Sequence, residues 1–155
     1  YQLGNTLTDF GSVSRGVCTV DESGRLTGVT EHKRVEKTAA GPAFTEDGET
    51  FTPLPADAPV SMNLWGFQPE ILEVFAETFR TFLSRLTPET ALTAESLIPR
   101  LTDRMIRQGA GTVEVLTTPA RWYGITYRED LPGVQTAIAA MKAAGQYPQA
   151  LWETS

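Results

Sequence analysis

A chain of 155 residues, 41% hydrophobic and 21% charged, has the make-up of one globular domain over residues 1–155, which excludes a fibrous or disordered protein. Its net charge of −6, with no basic cluster interleaved with aromatics, argues against a nucleic-acid partner, and no apolar run approaches the roughly 20 residues of a membrane-crossing helix, so no membrane partner is expected. The single cysteine, Cys18, and single histidine, His32, exclude an internal disulfide and a zinc-type ligand set, and a reducing cytoplasm is the default compartment.

The first stretch, YQLGNTLTDFGSVSRGVC, opens in a strand-like pattern and reaches a Gly/Ser turn that carries one cation. Two readings of that turn stay open. Local sequence favours a hairpin connection, and the other reading is a loop that holds an oxyanion or a sugar. Residues 16–21 and 25–37 then flank ESG, a turn of the kind that joins antiparallel strands. Residues 38–59 carry repeated Gly/Pro/Ala breaks and read as a long excursion with one small hairpin around EDGE.

VSMNLWGF, residues 60–67, reads as a buried strand, and Pro69 and Glu70 suit the first turn of a helix. Its apolar face is Ile71, Leu72, Phe75, Phe79, Phe82, Leu83 and Leu86. A second helix is expected over residues 93–108, with Leu97, Ile98, Leu101 and Met105 inward and Gly109 as its stop. GTVEVLTTP and RWYGITY follow as two strands, and Asp130 is placed to cap a last helix bearing Val134, Ile138 and Met141. The order is β-β-β-α-α-β-β-α, an α/β domain with no Gly-rich nucleotide loop and no internal repeat.

YQLGNTLTDFGSVSRGVC, GRLTGVTEHKRVEK, PVSMNLWGF and RWYGITYREDLPGV, in this order over nearly the whole chain, resemble the C-terminal half of bacterial nucleotidyltransferase-family proteins. These are related to the sugar-1-phosphate nucleotidyltransferases of the nucleotide-diphospho-sugar transferase fold. The resemblance implies the C-terminal part of a Rossmann-like fold, a mixed sheet with packing helices, in which residues 1–3 form an internal strand and a nucleotide-binding half precedes them. It implies transfer of a nucleotide from a nucleoside triphosphate to a phosphorylated small-molecule acceptor, a sugar phosphate foremost, with release of pyrophosphate. Mg²⁺ is the implied cofactor, held mainly by that preceding half, and a homo-oligomer is an open expectation, because a cut sheet would self-associate or expose an apolar patch. The alternative is a non-catalytic sugar- or nucleotide-sensing module on the same fold.

The resemblance also implies roles for individual residues. Gly16 would present its backbone to the sugar, with Arg15 beside it as a fork for phosphate or carboxylate. Glu31 would accept sugar hydroxyls. Where the relatives follow this glutamate with a phosphate-binding lysine, this chain has His32 and then Lys33. Ser61 and Asn63 are candidates for hydroxyl contacts, with Met62 and Leu64 pointing into the core. Where the relatives place a metal-binding aspartate, this chain has Gly124, so no metal ligand is assigned.

Other constellations carry less. Cys18 inside GVCTV alternates like a small buried hydrophobe, and no nucleophile elbow accompanies Ser14 or Ser61 with His32. Glu46, Asp47 and Glu49 match no calcium loop. Trp65, Phe67, Phe75, Phe79 and Phe82 are expected to be mostly core, given the helical spacing.

Overall fold

The first reversal of the chain is built on Asp21. Its Oδ1 accepts hydrogen bonds from the Ser23 and Arg25 N–H groups at 2.9 and 3.0 Å and from the Ser23 hydroxyl at 2.7 Å. Such a side-chain acceptor holds a tight turn without help from the core. The turn joins β1 (Val13–Val20) to β2 (Leu26–Thr38), which run antiparallel. The expected ESG hairpin is therefore present in the computed structural model, which describes residues 1–150 and 152.

Two further strands lie inside the stretch read as an excursion. β3 (Gly41–Phe44) pairs with the end of β2, and β4 (Thr52–Pro53) pairs with β3. The EDGE hairpin joins them. Asp47 organises it by accepting from the Glu49 and Thr50 N–H groups, both at 2.8 Å, and from the Thr45 hydroxyl at 3.0 Å. These donors, Thr50 N–H first, hold the Asp47 carboxyl far below the usual carboxylate range. β5 (Val60–Ser61) pairs with β1, which completes the order β4-β3-β2-β1-β5.

Every strand pair is antiparallel. The expectation of a mixed sheet is thus corrected: the β1–β2, β2–β3 and β3–β4 links are hairpins, and a parallel pair needs a crossover of a dozen or more residues. The coarser expectation holds, since three helices accompany the sheet among the described residues: α1 (Ile71–Leu83), α2 (Ile98–Arg107) and α3 (Asp130–Ala143). No helix among the described residues is long and apolar enough to cross a membrane.

The core forms on one sheet face. Leu3, Val13, Val35 and Val60 are its buried centre, with Tyr1, Leu7, Val17, Phe44 and Met62 packed around them. The N-terminal residues reach it by a different conformation from the one expected. Leu3–Thr6 is a 3₁₀ turn, and Leu3 and Gly4 donate their N–H groups to Ala58 and Ala56 carbonyls at 2.9 and 2.8 Å. Residues 1–3 are therefore not an open strand edge; their backbone is paired beside β5.

Three other expectations change. The strand over residues 60–67 ends at Ser61 because Asn63 takes a left-handed φ of 56°, a conformation no strand continues through. Leu64, expected inward, is consequently 87% exposed. Residues 112–127 contain no strand: Glu114 makes a single bridge to Arg25, and residues 121–127 pair with no strand of the sheet. β-propensity needs a neighbouring strand before it becomes structure.

The third change concerns α1. Its amphipathic spacing is as expected, yet none of its residues is buried, and Leu72, Phe79 and Leu83 are largely exposed. Most of the aromatics read as core are only half covered. Trp65 stacks on Phe67, and Phe67 meets Phe75 edge-on at 5.2 Å between centroids. The exposed apolar surface anticipated at the N-terminus lies here instead. α2 begins at Ile98, with Pro99 in its first turn, five residues later than expected. It packs on β2, where Asp103 Oδ1 accepts the Val29 N–H at 3.2 Å and Asp103 Oδ2 accepts from Arg107 Nε at 2.7 Å.

Candidate functional site

Strand alternation decides which candidate residues share a face. Gly16 on β1 stands opposite Glu31 on β2 and opposite Ser61 on β5. Directly opposed residues of neighbouring strands project to the same side of the sheet. A Cβ added at Gly16 would lie 3.2 Å from Glu31 Oε2, 3.0 Å from Val29 Cγ1 and 3.8 Å from Ser61 Cβ. Gly16 is buried, and the space a side chain would take is closed in by the Val29 methyl and the Glu31 carboxylate, with Ser61 on the other flank.

The ion pairs among the described residues are Arg34–Glu36, Lys37–Asp9 and Arg107–Asp103. Glu31 takes part in none of them, so its acceptor oxygens are open to a ligand. Ser61 Oγ accepts the Asn63 N–H at 3.3 Å. Asn63 is exposed and joins the row through its backbone N–H. Cys18 lies two residues along β1 from Gly16, half-buried, and burial pushes its thiol pKa up. It is a packing residue rather than a nucleophile.

Arg15 does not join this row. Adjacent strand residues face opposite ways, and Arg15 is 8% exposed on the core side. Its Nε donates to Thr6 Oγ1 at 3.0 Å, Nη1 to the Ser14 carbonyl at 2.7 Å and Nη2 to the Thr6 carbonyl. The guanidinium lies 5.2 Å from the centre of the Trp122 ring, a cation–π distance. Burial lowers its pKa, while Glu31 raises it. His32, opposite Arg15 in register, stacks on Phe44 with centroids 4.0 Å apart.

Gly124 has a steric explanation that sequence reasoning missed. A Cβ there would fall inside the benzo ring of Trp122, so glycine is what allows the indole to fold back onto its own chain. No group of three or more His, Cys, Asp or Glu able to hold a metal is present among the described residues. Asp130 does not cap α3. It lies within the first turn, where Oδ1 accepts from the Thr8 hydroxyl at 2.6 Å and Oδ2 from the Thr126 and Tyr127 N–H groups at 3.0 and 2.8 Å.

These donors, the Thr8 hydroxyl foremost and the Tyr127 N–H next, hold the Asp130 carboxyl below its ordinary value. The native chain therefore binds this proton more weakly than the unfolded chain does. The resulting stabilisation is complete above the unfolded value near pH 4 and is lost as pH falls through the native value. Asp130→Asn is expected to flatten the acid limb of the stability curve. Urea midpoints at about pH 3 and pH 6 should differ less for the variant than for the parent chain; an unchanged difference would show that Asp130 contributes nothing to it.

Comparison with protein-family models gives no match, and comparison with curated proteins likewise gives none.

Proposed function

We propose that this chain is the acceptor-binding part of a nucleotidyltransferase whose acceptor is a phosphorylated small molecule, a sugar phosphate. The observation that carries the reading is the Glu31–Gly16–Ser61 row, with an unpaired carboxylate beside an absent side chain. The absence of a side chain at Gly16 lets the Glu31 carboxylate lie over β1, on the same face as Ser61. Glu31 accepts the proton of a sugar hydroxyl and Ser61 offers a second hydroxyl partner. The resemblance of YQLGNTLTDFGSVSRGVC and PVSMNLWGF to the transferases supports the same reading.

In the reaction proposed, an oxygen of the acceptor phosphate attacks the α-phosphorus of a nucleoside triphosphate. The bond from that phosphorus to the bridging oxygen breaks, and pyrophosphate leaves. The contribution of this chain is positioning: holding the acceptor hydroxyls fixes the attacking oxygen. Mg²⁺ in such chemistry neutralises developing charge. The residues at the matching position do not fit it, because Gly124 lies under Trp122, and no step is assigned to it here.

That same feature favours the second reading, a sugar- or nucleotide-sensing module without catalysis. The two separate in one experiment. The whole protein that contains this chain is incubated with Mg²⁺, nucleoside triphosphates and a panel of sugar phosphates, and pyrophosphate is measured. Turnover is expected; binding of a sugar phosphate without turnover across the panel would establish the sensing module. Within an active protein, Glu31→Gln is expected to lower kcat/KM for the acceptor by about tenfold to a hundredfold, the worth of a hydrogen bond to a charged group, with little change in melting temperature. Unchanged acceptor kinetics would remove Glu31 from the site.

A further inference from the structure

The second candidate ligand site lies on the other side of β1 from the Glu31 row. An open cavity of about 510 Å³ is lined by residues 6–10, residues 121–124 and part of α3. Arg15 and Arg121 both line it, and neither belongs to an ion pair among the described residues. The two carboxylates in its wall are already engaged. Asp9 accepts Lys37 Nζ at 2.6 Å, and Asp130 holds Thr8, Thr126 and Tyr127.

Arg15 is the more telling of the two. It is more than nine-tenths buried and makes no direct ion pair among the described residues, and burying a cation without a contacting anion is costly. Three of the five guanidinium N–H groups go to oxygens of Thr6 and Ser14, leaving one hydrogen on each terminal nitrogen without a partner among the described residues. Arg121 sits at the exposed margin, its guanidinium 5.4 Å from the Tyr123 ring centre. The remaining wall is mixed: Leu7, Phe10, Val13, Val134 and Ala137 give it an apolar side, beside the hydroxyl-bearing Thr6, Thr8, Thr126 and Thr136. Ligand cavities of roughly 300–1,000 Å³ with apolar walls and a few polar groups suit small organic molecules better than a bare ion.

We propose that this cavity binds a phosphate monoester with a flat apolar body, its phosphate matched to Arg15 and Arg121 and its body held against Leu7, Phe10 and Val134. A dianionic phosphate complements two guanidiniums through charge-assisted hydrogen bonds. The apolar side gives the body a surface to displace water from. The site is independent of the acceptor row, because Arg15 and Gly16 face opposite sides of the sheet, and it stands whether or not the chain belongs to a transferase.

Phenyl phosphate is a suitable probe, titrated into the ¹⁵N-labelled 155-residue chain while the Trp122 indole N–H and the Gly124 and Gly133 amides are followed. These signals are expected to shift saturably with phenyl phosphate, and to require at least about tenfold more orthophosphate or phenol, which each carry half of the ligand chemistry. Arg121→Gln, a substitution at an exposed position outside the core, is expected to raise Kd about tenfold, as loss of one charge-assisted hydrogen bond does. The proposal is overturned by any one of several results: no shift up to about 10 mM, below any useful affinity; equal binding of orthophosphate or phenol; unchanged Kd in Arg121→Gln; or shifts confined to the apolar groove between α1 and α2 at Phe79 and Ile98.

Discussion

Gly124→Asp is expected to lower the melting temperature by about 5 °C or more, because overpacking typically costs 1–3 kcal/mol and a chain of this size loses a few degrees per kcal/mol. The first atom of any side chain at residue 124 falls within the Trp122 ring, so the indole must leave its position. Its departure also strips the cation–π cover from Arg15 and loosens the neighbouring backbone, where the Trp122 N–H donates to the Asn5 carbonyl at 3.0 Å. Two controls isolate the steric term. Gly124→Ala should destabilise nearly as much as Gly124→Asp, since the Cβ alone makes the clash. In a Trp122→Ala background, Gly124→Ala should be close to neutral. Thermal unfolding of the four chains tests this, and an additive double mutant would show that the ring and the glycine are not in conflict. An aspartate introduced at this position is accordingly expected to cost stability before it could offer a metal ligand.

Leu3→Ala is expected to destabilise the chain by about 2–5 kcal/mol, the range for a large-to-small change at a fully buried position. Leu3 is completely buried at the centre of a small core, among Val13, Val35 and Val60. The turn that carries it is tied to residues 56 and 58 by backbone bonds, so little collapse can fill the void. Its N-terminal position makes the test informative: terminal segments often fray, and a loss under about 1 kcal/mol in chemical denaturation would mean that this one does too. Leu72→Ala on α1 provides the contrast. That side chain is 65% exposed, and its removal is expected to change stability by no more than about 0.5 kcal/mol.

The parts of this architecture legible in the sequence are those governed by local chemistry. The ESG and EDGE turns are announced by Gly beside acceptor side chains, and the hairpins follow from them. Helix spacing identified α1, α2 and α3 with end shifts of a few residues. The parts that were not legible depend on what a segment meets. RWYGITY has good strand residues but pairs with no strand, and Trp122 turns back on Gly124 instead. The face of α1 is amphipathic in sequence and structure alike; spacing defines which residues share a face and not whether anything covers it. At the acceptor row, the β1–β2 hairpin placed Gly16 against Glu31, and β5 added Ser61. Arg15 was misplaced beside them although period-two alternation, applied to the pair Arg15–Gly16, sends them to opposite faces. Arg121 was overlooked because it stands alone in sequence, and only the cavity brings it into company with Arg15.

The contact between α2 and β2 carries a consequence for how the chain opens. The outer side of β2 between Leu26 and Thr30 has no neighbouring strand, and its Val29 amide is satisfied by Asp103 of α2. A ten-residue helix fastened in this way is a small cooperative unit, able to lift away while the hairpin beneath it stays folded. Amide hydrogen exchange at Val29 is then expected to follow the lifting of α2 rather than global unfolding, and to run faster than exchange at Cys18, which donates inward to Pro59 at 2.8 Å. Each such excursion bares a short stretch of strand backbone to the solvent. Association between copies of the chain at high concentration is accordingly expected to rise when the Asp103 latch is removed.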